Sequence, residues 1–265
     1  MVIDQKSALN TVKKVLTADF ACEERHFDEE GVVIRQAREI PGRRRFPFRE
    51  KSLTVVTMGR GVVISCSTGR MRWAKANLSG LSRDSLFSAY VISRIQKYVT
   101  RSNQNMHLDI KFICTADIFK PFILGGEIEL SVLEGEKLRG LSENETFPNA
   151  IGYAYNPERP RMVAVVAKYR GKTAGIAAAA ADSDVMWQIG VDTLPEYQNH
   201  GIAKAMVSIL TENLFEKGIL PYYSTRVVNI ASQRTALSLG YNPAWVELYS
   251  REIQHDAPHP EDPLS

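Results

Sequence analysis

The feature that most restricts how this chain can fold is a series of three apolar runs leading into a helix opened by glycine. The runs are MVAVVAKY (162–169), TAGIAAAA (173–180) and VMWQIGV (185–191). Only Arg170-Gly171-Lys172 separates the first two, and Asp182-Ser183-Asp184 precedes the third, so the pattern predicts a hairpin followed by a third strand. From Gly201, the residues Ile202, Met206, Ile209, Leu210 and Leu214 recur at helical intervals, and Lys217-Gly218 supplies a basic last turn and a stop. The hexapeptide QNHGIA, Gln198 to Ala203, therefore sits where a strand passes through a loop into a helix.

That position has its own chemistry. The first amides of a helix have no carbonyl partners and carry the positive end of its dipole, so they attract phosphate oxygens. Gly201 and Ala203 lack bulk and would let a diphosphate lie against the backbone. The turn is neither a dinucleotide fingerprint nor a P-loop, and Gly59-Arg60-Gly61 elsewhere in the chain fails at the third glycine.

The hexapeptide resembles the Q/R-x-x-G-x-G/A signature of the GNAT N-acetyltransferase superfamily, with its preceding V-D-x-x-P-E-Y. The resemblance continues through LPYYST (220–225), Asn229, Ala231-Ser232 and Leu239-Gly240-Tyr241. It implies acetyl-CoA as co-substrate, with no metal. It also implies that Gln198, Asn199, His200, Gly201, Ile202, Ala203 and Lys204 cradle the pyrophosphate. The end of the uncharged strand, Ile189, Gly190 and Val191, would offer backbone groups to the pantetheine amides, with Asn229 and Ser232 nearby. A strand end splayed from its neighbour leaves N–H and C=O groups that need partners. His200 and Lys204, one turn apart, suit either the phosphates or a solvated face.

The catalytic groups are less defined. The family's usual thiolate acid is a tyrosine seven residues beyond the Asn, and that position is Ala236. Met186 to Val191 contains no acid, leaving Asp192 as the nearest carboxylate. Tyr222, Tyr223, Ser224, Glu247 and Tyr249 are substitutes on adjacent strands, and spacing does not choose among them.

The rest of the chain mixes elements. A helix is expected after Asp4 or Ser7, a hairpin from LTVVTM and VVISC across Gly59-Arg60-Gly61, and a helix capped by Ser82 that carries Phe87, Val91, Ile95 and Tyr98. LDIKFIC alternates Leu108, Ile110, Phe112 and Cys114 like a half-buried strand, and LSVLEGEKLRGL (130–141) reads as helical. The fold class expected is α/β, a GNAT fold with a mixed, mostly antiparallel central sheet flanked by helices and an N-terminal α+β extension. Residues 1–127 would form the extension and shape the acceptor pocket, 128–253 the acetyltransferase domain, and 254–265 a loose tail.

Length and composition allow a large core: 265 residues, 44% hydrophobic and 24% charged, with a formal net charge of only +3. Cys22, Cys66 and Cys114 are widely spaced and have no metal-ligand pattern, so they read as reduced thiols. No apolar signal core or membrane-length apolar run is present, so the expectation is a cytoplasmic protein without membrane partners. The function expected is acetyl transfer from acetyl-CoA to a primary amine of a small-molecule or peptide acceptor. A catalytically silent acyl-CoA-binding module is the alternative, motivated by Ala236. A third reading, nucleic-acid binding through Arg43-Arg44-Arg45-Phe46, rests on one basic triplet, which suits a solvated loop better.

Overall fold

A computed structural model of the chain describes residues 4–46, 52–141, 146–151 and 158–253. The expected tail, 254–265, lies outside the described residues, as do positions 47–51 of the basic loop. The helices are α1 (Gln5–Phe20), α2 (Arg25–Asp28), α3 (Met71–Leu78), α4 (Arg83–Leu86), α5 (Ala89–Val99), α6 (Pro148–Ile151), α7 (Ile202–Glu216) and α8 (Ile230–Ser238). The strands are β1 (Val32–Gln36), β2 (Leu53–Thr57), β3 (Val62–Cys66), β4 (Gln104–Ile113), β5 (Ile128–Glu134), β6 (Arg161–Tyr169), β7 (Lys172–Ala180), β8 (Met186–Thr193), β9 (Leu220–Arg226) and β10 (Asn242–Glu252).

All the strands join one sheet, in the order β1-β3-β2-β10-β4-β9-β8-β7-β6-β5. β1 pairs with β3 and β8 with β9 in parallel, and the other pairs are antiparallel. This is the mixed, mostly antiparallel α/β architecture expected, and both predicted hairpins form. One connection was not predicted: β4, from the N-terminal part, lies between β9 and β10 from the C-terminal part. The sheet is therefore continuous across the two regions.

Helices cover both faces. On one face α7 buries Ile202, Met206, Val207, Leu210 and Leu214 against Val165, Ala177, Ala179, Ile189 and Tyr223. The alanine-rich β7 leaves room for that helix, and each fully buried large apolar side chain contributes about 1.5–3 kcal/mol. α3 and α5 extend this face over β2 and β3. On the other face α1 places Ala8, Val12, Leu16 and Phe20 beside Val56, Ile113, Met186, Tyr222 and Trp245. α6 lies on the same face over Ala164, Val166, Ile176 and Ala178.

Local signals explain most boundaries. Asp4 caps α1, its carboxylate accepting from the Ser7 amide at 2.8 Å. The helix expected after Ser82 is instead two helices. Ser82 caps only α4, and Ser88 restarts the chain by accepting from the Val91 amide, so Val91, Ile95 and Val99 are buried by α5. The helix expected within 130–141 is corrected to strand β5 followed by a 3-10 turn over Gly135–Gly140. Leucines three apart imitate a helical stripe, but pairing with β6 from Ile128 opposite Tyr169 to Glu134 opposite Val163 overrides it. LDIKFIC is a strand as expected but not half-buried, because Asp109 and Lys111 on its charged face are 6% and 4% exposed.

Candidate active site

The parallel pairing of β8 and β9 runs from Met186 opposite Leu220 to Ile189 opposite Tyr223 and stops there. β8 nevertheless continues to Thr193 and β9 to Arg226, so a wedge opens between them. Ile189, Gly190 and Val191 stay bonded to β7 on one side and border the wedge on the other. The hydroxyl oxygen of Thr193, at the end of β8, is buried with no hydrogen-bond partner among the described residues.

At the mouth of the wedge the loop into α7 forms a concave run of amides. Asn199 and Gly201 both have left-handed backbones, with φ of 63° and 80°. Successive amides in such a turn converge on one point and suit an anion. Among the described residues no acceptor meets the amides of residues 199 to 204, and the first donation in the helix is from Ala205 to the Gly201 carbonyl at 2.9 Å. No side chain caps the N-terminus of α7. The Gln198 side-chain amide donates to the Thr193 carbonyl at 3.3 Å and closes the loop.

His200 is exposed, whereas Lys204 lies over the Phe122 ring with its ammonium 4.5 Å from the centroid. Phe122 and Leu124 also approach Gly201, where a β-carbon would come within 3.2 Å of the Phe122 ring. The positive φ favours glycine there, and a β-carbon would also push on the Phe122 ring.

The expected catalytic residues occupy different environments. Asp192 accepts from the Asn149 and Ala150 amides, each at 2.8 Å, and from the Asn149 side chain at 2.5 Å. It holds α6 directly over Gly190, where any β-carbon would lie 1.9 Å from the Asn149 carbonyl oxygen. Glu247 is fully buried and pairs with the Arg44 guanidinium and the Trp245 indole N–H. The Tyr222 hydroxyl faces α1 and bonds Asp182 and Gln188. Burial, with Asp182 beside it, pushes that phenol well above its ordinary pKa.

Tyr223 points to the opposite face, beside Ala236 and Tyr241. Ser232, one helical turn before Ala236, lies beside its hydroxyl, and burial raises its pKa so that it holds its proton. Asn229 caps α8 by accepting from the Ser232 amide at 3.1 Å. Asn229→Ala should therefore lower stability by about 0.5–2 kcal/mol, read from the midpoint of a urea melt.

Sequence reasoning missed one cluster beside the wedge. On the α1 face, the Asp109 Oδ2 accepts from Lys111 at 2.9 Å, from Tyr249 at 3.1 Å and from Ser224 at 3.3 Å. Ser224 is the first β9 residue beyond the last β8 pair. Ser224 and Tyr249 were among the sequence candidates, but for Asp109 and Lys111 the only signal was the pair of charges alternating within LDIKFIC.

The Arg43 to Arg45 triplet does not make a basic stripe. Arg44 is buried between Asp19 and Glu247, Arg45 pairs with Asp184, and Arg43 donates to the Phe46 carbonyl at 3.0 Å. All three cysteines are free thiols, and burial pushes Cys114 up to about 12. Among the described residues no group of three or more His, Cys, Asp or Glu side chains could hold a metal, and no helix is long and apolar enough to cross a membrane.

The wedge and amide cradle fall inside a matched family region: the model of the acetyltransferase (GNAT) family aligns with residues 133–241. This region of the chain is similar to the GNAT acetyltransferases. A GNAT-like protein from Streptococcus suis shares 15% identity, covering 61% of this chain and 67% of its own, with a TM-score of 0.47. A Drosophila protein shares 11%, covering 95% and 91%, with a TM-score of 0.48. An aminoglycoside N-acetyltransferase in complex with CoA shares 19%, covering 46% and 92%, with a TM-score of 0.34. No curated protein sequence matches the chain.

Proposed function

We propose that the protein is an acetyl-CoA-dependent N-acetyltransferase that transfers acetyl to a primary amine. The observation that carries this reading is the unpartnered amide run of residues 199–204 at the mouth of the β8–β9 wedge, within the region similar to the GNAT acetyltransferases. Those amides, with His200 and the α7 dipole, would hold the pyrophosphate. The edge of β8 beyond Ile189, at Gly190 and Val191, would bond the pantetheine arm and direct the thioester into the wedge. Orientation of amine and thioester supplies much of the rate in such a reaction.

Tyr223 is the proposed proton donor to the departing thiolate. It stands at the last β8–β9 pair, keeps its proton, and reaches α8 one turn from the alanine that replaces the family's tyrosine. Asp192, Glu247 and Tyr222 serve the framework in this reading, because each is engaged by buried or backbone partners.

The test is thiol release from acetyl-CoA over a panel of amino acids, peptides, polyamines and aminoglycosides. Turnover with any acceptor supports the enzyme, whereas CoA binding without turnover over the whole panel supports the silent binding module. Tyr223→Phe should lower kcat by about 10²-fold or more with CoA affinity retained. Tyr222→Phe should instead cost about 1–3 kcal/mol of stability by leaving Asp182 short of a donor, with kcat kept. Full kcat in the Tyr223→Phe protein would remove the tyrosine from the mechanism.

A further inference from the structure

Asp109 carries three donors on one carboxylate oxygen and none on the other. Lys111, Tyr249 and Ser224 all reach Oδ2, while Oδ1 is buried with no partner among the described residues. A bare buried carboxylate oxygen is costly, and such groups are rare unless a ligand or water supplies the missing donor. Two residues along the same face of β4, roughly 7 Å away by strand geometry, His107 Nδ1 is likewise buried and unpartnered. Asp109 Oδ1 accepts hydrogen bonds, His107 Nδ1 accepts or donates according to its tautomer, and both lie on the face opposite α7, beyond the point where β8 and β9 part.

The charges around them narrow what can dock. Lys111 places an ammonium against Asp109, and Tyr249, whose phenol is pushed up by burial and by Asp109, stays a donor. Glu247 on the neighbouring strand is already paired with Arg44. Arg226 lies directly across from Asp109, and Arg251 lies across from Asn105. Both arginines are exposed, neither has a carboxylate partner among the described residues, and both depress His107, which burial already keeps neutral. A neutral amine can donate to Asp109 beside Lys111, but a polycation would meet Lys111, Arg226 and Arg251 together.

We propose that the β4 face is the acceptor site, with Asp109 Oδ1 as the amine's binding partner and general base, and that the acceptor is an amine bearing a carboxylate that pairs with Arg226 and Arg251. This rests on the acetyltransferase reading above. The amine nitrogen attacks the thioester carbonyl, the N–C bond forms as the C–S bond breaks, and a nitrogen proton passes to Asp109. The thiolate takes a proton from Tyr223, and solvent restores both groups. Lys111 and Tyr249 are positioning residues that hold the carboxylate by its other oxygen.

The experiment compares the parent, Asp109→Asn and Arg226→Ala, using acetyl-CoA with glycine, a dipeptide, and the diamine cadaverine, while melts with and without acetyl-CoA report cofactor binding. The expectation is faster turnover of the carboxylate-bearing acceptors than of cadaverine. Asp109→Asn should lose at least 10²-fold in kcat with the acetyl-CoA melt shift intact. Arg226→Ala should raise KM for glycine or the dipeptide tenfold, whereas for cadaverine, which then meets one repelling charge fewer, KM should fall. If Asp109→Asn is too unstable, the double change Asp109→Asn with Lys111→Met removes both charges together and carries the same expectation. Full kcat in a folded variant with an intact melt shift overturns the inference alone, as does a preference for cadaverine. A parent with no response to acetyl-CoA overturns the acetyltransferase reading and this inference with it.

Discussion

Arg44→Ala should unfold at a markedly lower urea concentration than the parent at pH 7, with an unchanged m-value. The Arg44 guanidinium bonds both Asp19, at the end of α1, and Glu247, in the middle of β10. Its backbone amide adds a further bond to Asp19 at 2.5 Å. Removing it leaves two carboxylates facing each other, one fully buried and the other 8% exposed. Breaking a buried pair by deleting one partner costs about 3–5 kcal/mol, a large share of the stability of a typical domain.

The pH dependence follows from the direction of the Asp19 shift. Burial already raises that carboxyl above its ordinary value despite Arg44, and without Arg44 the charge that holds it down is gone. A carboxyl with a raised folded pKa is best tolerated below its unfolded value of about 4 and costs stability as the pH climbs through the folded value. The deficit of the variant should therefore be largest near neutrality and shrink toward pH 4. An unchanged midpoint at pH 7 would mean that the pair contributes nothing.

Much of the domain and of the cofactor side of the candidate site was readable because its signals are local. The β6–β7 hairpin needs only Arg170-Gly171-Lys172, and α7 announces itself by its apolar spacing and by glycine at both ends. Gly201 could be picked out because a helix that starts at a left-handed residue has few alternatives. The acceptor side was not readable, because it is built by pairing between distant segments. Nothing in LDIKFIC says that Lys111 will sit opposite Ser224, or that Asp109 will sit opposite both Arg226 and Glu247.

The same cause explains the residues that spacing could not rank. Asp192 and Glu247 looked like free acids on strands, but one is held by α6 and the other by Arg44, whose partners lie 43 and 203 positions away. Tyr222 and Tyr223 are adjacent in sequence and face opposite sides of the sheet, which strand alternation requires. Only the packing says which of the two reaches α8.

Acetyl-CoA titration calorimetry on the parent and on Ala203→Asp tests the central claim most directly. Ala203 is the second residue of α7, half-buried and free of the left-handed backbone that makes Gly201 a poor site for substitution. An aspartate there interacts favourably with the helix dipole, so the folded state should lose little. It also sets a negative charge against the phosphates. That repulsion is worth about 1 kcal/mol at 4 Å in bulk water and about 4 kcal/mol near a protein surface, enough to weaken binding about tenfold or more. The account predicts a saturable heat for the parent, a melt raised by about 2.7 kcal/mol in stability at a hundredfold excess over Kd, and an Ala203→Asp protein that melts like the parent but binds at least tenfold more weakly. Equal affinity in the two proteins, or no heat and no melt shift in the parent, would contradict a phosphate cradle at residues 198–204.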